Sequence, residues 1–172
     1  MKWIAAGLPL LAAVVVALGI AVMVVVLGTD RRPSDEALLS ILAEHREALT
    51  QVAEAVLNRR DGARIDLETR AVDPNDALAA TLRSTGIGLA VSDPSLGGVV
   101  FPVYAAGISI SGAEKGLLYR DPNGAVTPRA RWVPDLEDAF AEARRTQPQN
   151  EALKIVLLRA VDDRWALVLQ TF

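Results

Sequence analysis

Apolar and charged positions divide this chain into three stretches with different periods. From Ile4 to Gly28 there are 25 consecutive uncharged residues, against about 20 needed to cross a hydrocarbon core about 30 Å thick. Fourteen of them are Leu, Ile or Val, and at about −0.3 to −0.6 kcal/mol each they favour insertion by roughly 4 to 8 kcal/mol. The pattern predicts a transmembrane anchor over 1–28 whose partner is the lipid bilayer, from Ile4 to Gly28. A cleaved signal peptide is the competing reading. It needs an apolar core of about 7 to 15 residues and a small-x-small cleavage site, and Val26-Leu27-Gly28 is a poor one. Within the span, Ala13, Ala17 and Ala21 form a small-residue stripe of the kind that lets helices approach closely, although in so Ala-rich a segment such a stripe arises readily by chance.

The second stretch has a helical period. After the polar exit Thr29 to Pro33, Ser34 is an N-cap, and Asp35 and Glu36 put negative charge in the first turn. Leu38, Leu42, His45, Leu49, Val52 and Val56 then alternate spacings of four and three, the heptad a and d positions. The helix stops between Asn58 and Gly62. The stretch 29–62 is thus an amphipathic tether helix, and its stripe serves equally to lie on its own domain or to meet a partner. His45 on that stripe is either a packing-seam residue or a pH-sensitive group.

From residue 63 onward the period becomes two. Arg64 to Glu68 is a strand candidate, and Asp73-Pro74 opens a helix that carries Leu78 and Leu82 and ends at Gly86. Ile87 to Val91 and Val99 to Tyr104 are further strands, with Pro102 pushing the latter toward a sheet edge or a bulge. Gly107 to Gly112 and Leu117 to Arg120 read as a hairpin about the loop Ala113-Glu114-Lys115-Gly116. Asp121-Pro122-Asn123-Gly124 is a turn, and Pro134-Asp135 starts a helix through Phe140 closed by Arg144 and Arg145. Leu153 to Val161 and Arg164 to Phe172 flank Asp162-Asp163 as a last hairpin, which ties the C-terminus into the sheet. The expected class for 63–172 is α+β, a mostly antiparallel sheet of about six strands with about two helices.

Composition narrows the chemistry. There is no Cys and one His, which excludes disulfides, thiolate nucleophiles and Cys- or His-rich metal sites. Beyond residue 28, 17 Lys and Arg face 21 Asp and Glu, an excess of negative charge that argues against nucleic acid as a partner. Gly86-Ile87-Gly88 lacks the third glycine of a dinucleotide loop. Ser111 and Lys115 invite a Ser-Lys dyad, but a solvated turn explains them, because a basic Lys needs burial. Asp135/Glu137/Asp138 stand in a helix's first turn and Asp162/Asp163 in a hairpin turn, where structural roles suffice. A hydrolase using these carboxylates is the weakest reading, and no cofactor is expected.

The segment Gly107-Ile108-Ser109-Ile110-Ser111-Gly112 with Lys115, Gly116 and Tyr119, followed by the acidic turn Asp162-Asp163 and Trp165, resembles small bacterial membrane-anchored or lipoprotein-like envelope proteins of no assigned activity. About 40 residues carry the resemblance, and Leu167 and Leu169 depart from it where more aromatics are expected. It implies a bacterial inner-membrane location with the C-terminal domain periplasmic or otherwise extracytoplasmic. The positive-inside count of Lys2 against Arg31, Arg32 and Arg46 does not decide the orientation. The expected function is non-enzymatic: a protein-interaction module or accessory subunit of an envelope complex, binding a protein partner or a second copy. The candidate surfaces are the tether face (Leu38, Leu42, Leu49, Val52) and the strand edge bearing Phe101 and Tyr104. The alternative is a small-molecule or envelope-stress sensor that signals through helix association.

Overall fold

In the computed structural model, residues 32–59, 64–67, 76–108, 111–146 and 155–172 are described. The chain divides into two compact units, 1–32 and 33–172. The expected anchor falls outside the described residues, among which no helix is long and apolar enough to cross a membrane.

Helix α1 (Asp35–Leu57) starts at its expected cap, with Ser34 Oγ accepting from the Ala37 N–H at 3.2 Å. Its buried residues are Asp35, Leu38, Leu42, Leu49, Val52, Ala53 and Val56. The apolar stripe lies on the chain's own domain, and it extends one step back, through the spacing of three, to a carboxylate. His45 is partly exposed beside the seam, 3.8 Å from Glu44.

Seven strands form one sheet: β1 (Arg64–Asp66), β2 (Leu89–Asp93), β3 (Gly98–Ile108), β4 (Ser111–Arg120), β5 (Ala130–Trp132), β6 (Val156–Ala160) and β7 (Trp165–Thr171). Helix α2 (Ala77–Ser84) follows β1, and α3 (Leu136–Thr146) joins β5 to β6. The spatial order is β1-β2-β3-β4-β7-β6-β5, antiparallel except for the parallel pair β5–β6. The α+β class, the mostly antiparallel sheet and the two helices after the tether are as expected. The strand absent from the sequence reading is β5, whose three residues are too few to show a period. The N-cap of α2 is Asp76, which accepts from the Leu78 N–H at 2.8 Å; the expected opening at Asp73-Pro74 lies outside the described residues.

The β3–β4 hairpin corrects the sequence reading. Ala113 to Gly116, expected as a loop, are paired residues of β4, and the ladder runs from Gly98↔Arg120 to Ile108↔Ser111. Gly116 marks close strand approach: a Cβ there would stand 2.2 Å from the Phe101 carbonyl oxygen. Pro102 lies at a register shift between Pro102 and Tyr104, the bulge that accommodates a residue with no N–H. It is not on a marginal strand, because β3 lies between β2 and β4. Among the described residues, however, the β2–β3 ladder stops at Val91↔Val100, and beyond it β3 pairs with β4 alone.

Alternation along the strands separates two cores. On the helix-covered face, Phe101, Leu117, Tyr119, Leu157, Trp165, Leu167 and Leu169 meet the α1 stripe and Leu136 and Phe140 of α3. On the other, Val100, Leu118, Leu158, Ala166 and Val168 pack with Leu96, Val126 and Ala130 from the connections.

Candidate functional site

Because Lys115 follows the parity of Leu117 and Tyr119, β4 delivers it to the helix-covered face. It is fully buried, and so is Asp35, at 2% exposure. The Lys115 Nζ lies 2.8 Å from Asp35 Oδ1 and 2.6 Å from Glu137 Oε1, and it donates to the Pro33 carbonyl at 2.8 Å. Its three donors are matched by three acceptors. The other Asp35 oxygen, Oδ2, accepts from Arg159 Nη1 at 2.7 Å and from the Leu136 N–H at 3.3 Å. Four elements, α1, β4, β6 and α3, therefore meet at one carboxylate.

Burial alone would raise the Asp35 pKa, but the hydrogen bonds from Lys115, Arg159 and Leu136, with the Lys115 charge, outweigh it and hold the carboxyl below its usual range. The hydrogen bond to Asp35 raises the Arg159 pKa against its partial desolvation. This arrangement suits the charged form of every member. With no solvent path to Lys115 and its protons all engaged, it cannot serve as a general base; what it does is fix register among four elements.

Two further polar contacts hold α1. Arg46 Nη1 donates to Asp162 Oδ2 at 2.6 Å, while Asp162 Oδ1 accepts from the N–H groups of Arg164 and Trp165, both at 2.8 Å, in the β6–β7 turn. Burial raises the Asp162 pKa, and the Arg46 hydrogen bond and the two backbone donors more than reverse it. Tyr119 Oη donates to Glu54 at 3.1 Å, and burial together with that acceptor raises the phenol's pKa. Tyr119 and Phe101 both pack on Trp165, with centroids 5.1 and 5.9 Å away.

Two grooves open on this framework. One, about 840 Å³, is lined by β5 and α3, including Trp132, Asp138, Glu142 and Arg145. Trp132 is 46% exposed, with the Arg120 guanidinium 5.2 Å from its ring centroid. The other, about 500 Å³, opens where β2 and β3 part, between Gly86 to Leu89 and Pro102 to Ala105, with Ile41 of α1 and the Arg64–Asp66 ion pair on its wall. Among the described residues no group of three carboxylates or His is placed to hold a metal ion.

The expected partner-binding residues are mostly occupied. Leu38, Leu42, Leu49 and Val52 are at most 1% exposed against the sheet, and Phe101 is buried beneath Trp165. They cannot meet a partner while α1 is docked, because the sheet already covers them. Tyr104 alone remains half-exposed, on the smaller groove. Asp135 caps α3, accepting from the Asp138 N–H at 2.8 Å, and Asp162 closes its hairpin turn, as expected. The solvated turn expected at Lys115 is instead the buried centre of the cluster. Asp35, Lys115 and Arg159 were all legible in principle: Asp35 falls three positions before Leu38 on the α1 stripe, and Lys115 and Arg159 share strand parity with Leu117 and Leu157. Comparison of the chain with protein-family models, with curated proteins and with solved structures finds no match.

Proposed function

We propose that this chain is a non-enzymatic, single-pass protein of the bacterial inner membrane. Its α+β domain would lie on the extracytoplasmic side as a protein-interaction module or accessory subunit of an envelope complex. The observation that carries the reading is the junction. The 25 uncharged residues end at Gly28 and the folded unit begins at Pro33, so a link of four residues, at most about 14 Å when extended, would hold the domain at the membrane surface. With the α1 stripe filled, the surface best suited to a protein partner is the groove beside β5. That strand is a sheet margin among the described residues, and the exposed Trp132 is the kind of aromatic anchor that dominates interfaces.

The test is purification of the full-length protein from native membranes in mild detergent, with mass determination and partner identification, repeated with Trp132→Ala. A stoichiometric partner lost in the variant supports the reading; recovery of the chain alone, or in the soluble fraction, sinks it. The sensor reading is favoured by one observation: a ligand in the 500 Å³ groove would touch Ile41 and so reach α1. Native mass spectrometry of the extracted protein checks it through a bound small molecule that Ile41→Asp removes.

A further inference from the structure

Two buried ion pairs, Lys115–Asp35 and Arg159–Asp35, stand where apolar side chains would serve stability at least as well. What such a cluster adds is discreteness. If the first turn of α1 shifts, Lys115 keeps only Glu137 among the acceptors described above, and Arg159 loses its carboxylate. Small displacements therefore carry the desolvation cost of charge with little to offset it, which favours a closed and an open state over a graded series. The same carboxylate also holds α3, through the Leu136 N–H, and Lys115 holds it through Glu137. One turn farther along, Asp138, Ala139, Glu142 and Arg145 of α3 form a wall of the groove that contains Trp132.

We infer that the Asp35 cluster is a latch: displacement of the turn Pro33 to Asp35 releases the first turn of α3 and thereby reshapes the groove beside Trp132. The coupling runs from the residues that follow the apolar segment to the proposed docking surface, by way of one carboxylate shared between two helix N-termini. That a membrane anchor supplies the displacement rests on the function proposed above; the coupling between α1 and α3 does not.

Native-state hydrogen exchange on the full-length protein in lipid nanodiscs, over a series of sub-denaturing urea concentrations, tests it. The amides of Leu38 to Leu42 and of Ala139 to Ala143 should share one opening event, exchanging about tenfold or more faster than those of Ala166 to Leu169 in β7. Asp35→Asn should accelerate both helical segments by the same factor, again about tenfold or more, and leave β7 unchanged. Independent opening of the two segments, or opening only together with β7, overturns the latch. Should Asp35→Asn fail to fold, the wild-type exchange pattern decides alone. If the chain proves not to be membrane-bound, the same experiment in solution still judges the coupling, so the two readings fail separately.

Discussion

The two faces of the sheet are covered by different means. One carries a 23-residue helix held at three polar points, Asp35 with Lys115 and Arg159, Arg46 with Asp162, and Glu54 with Tyr119. The other is closed by short connections, the turn after β2 and the segment after β4, joined by Asp121 N–H to Gly97 O at 2.9 Å and Thr127 N–H to Ser95 O at 2.7 Å. A helix with a continuous apolar stripe can slide or rotate on a sheet at modest cost, and directional charge pairs remove that freedom. A six-residue connection has no such freedom, and there backbone proximity is enough. Gly97, at φ +64°, and Gly124 lie so close that a Cβ on Gly124 would stand 2.4 Å from Gly97 O.

This contrast sets the ranking of expected losses. Lys115→Ala should be the most damaging, by about 3–5 kcal/mol in urea unfolding, because Asp35 stays buried with half its partners gone. The double change Asp35→Leu with Lys115→Met should recover most of that stability, and failure to do so would make the pair a contributor to stability in its own right. On the opposite face, Leu118→Ala should cost about 2–4 kcal/mol through an unfilled cavity, with no change in the exchange of α1 or α3. Gly124→Ala should cost about 1–3 kcal/mol by overpacking against Gly97, seen as a lowered Tm. Arg46→Ala, removing a pair that is 48% and 37% exposed, should cost less than about 1 kcal/mol and fade in 1 M salt.

The pH response separates the faces most finely. Asp35 and Asp162 have lowered folded-state pKa values, so the stability they contribute is present above the usual carboxylate range and is lost as pH falls through their folded values. Burial raises the pKa of Glu114 against its bond from Gln170, so its protonation on acidification acts in the opposite direction. Chemical denaturation from pH 6 to pH 2 should show a declining acid limb that Asp35→Asn makes shallower and Glu114→Gln makes steeper.

Most of the fold was readable because its signals are local: the Ser34 cap, the α1 stripe, the Asp121-Pro122-Asn123-Gly124 turn and the β6–β7 hairpin all lie within a few residues. The misreading at Ala113 to Gly116 arose because glycine has two uses, tight turns and close strand approach, and Gly112 and Gly116 suggested the first. Treating that run as a loop cost the parity that aims Lys115 at the core, and with it the reason for Asp35 to be buried. The partnership of Asp35 with Arg159 spans 124 positions, so no window of sequence contains it. The grooves were invisible for a related reason, since each is the space left between elements whose placement depends on long-range pairing.

The position of β7 bears on how the chain is made. It pairs with β4 on one side and β6 on the other, and it is the last strand to be synthesised. Until Thr171 has emerged, the β1-to-β4 meander and the β5–β6 pair have no bridge, and Arg159 has no fixed frame from which to reach Asp35. A nascent chain whose apolar segment is already inserted would thus wait unlatched, with the stripe of α1 exposed through most of translation. A chaperone contact on Leu38, Leu42 and Leu49 belongs to that interval, and ends when the C-terminal strand zips the two halves together.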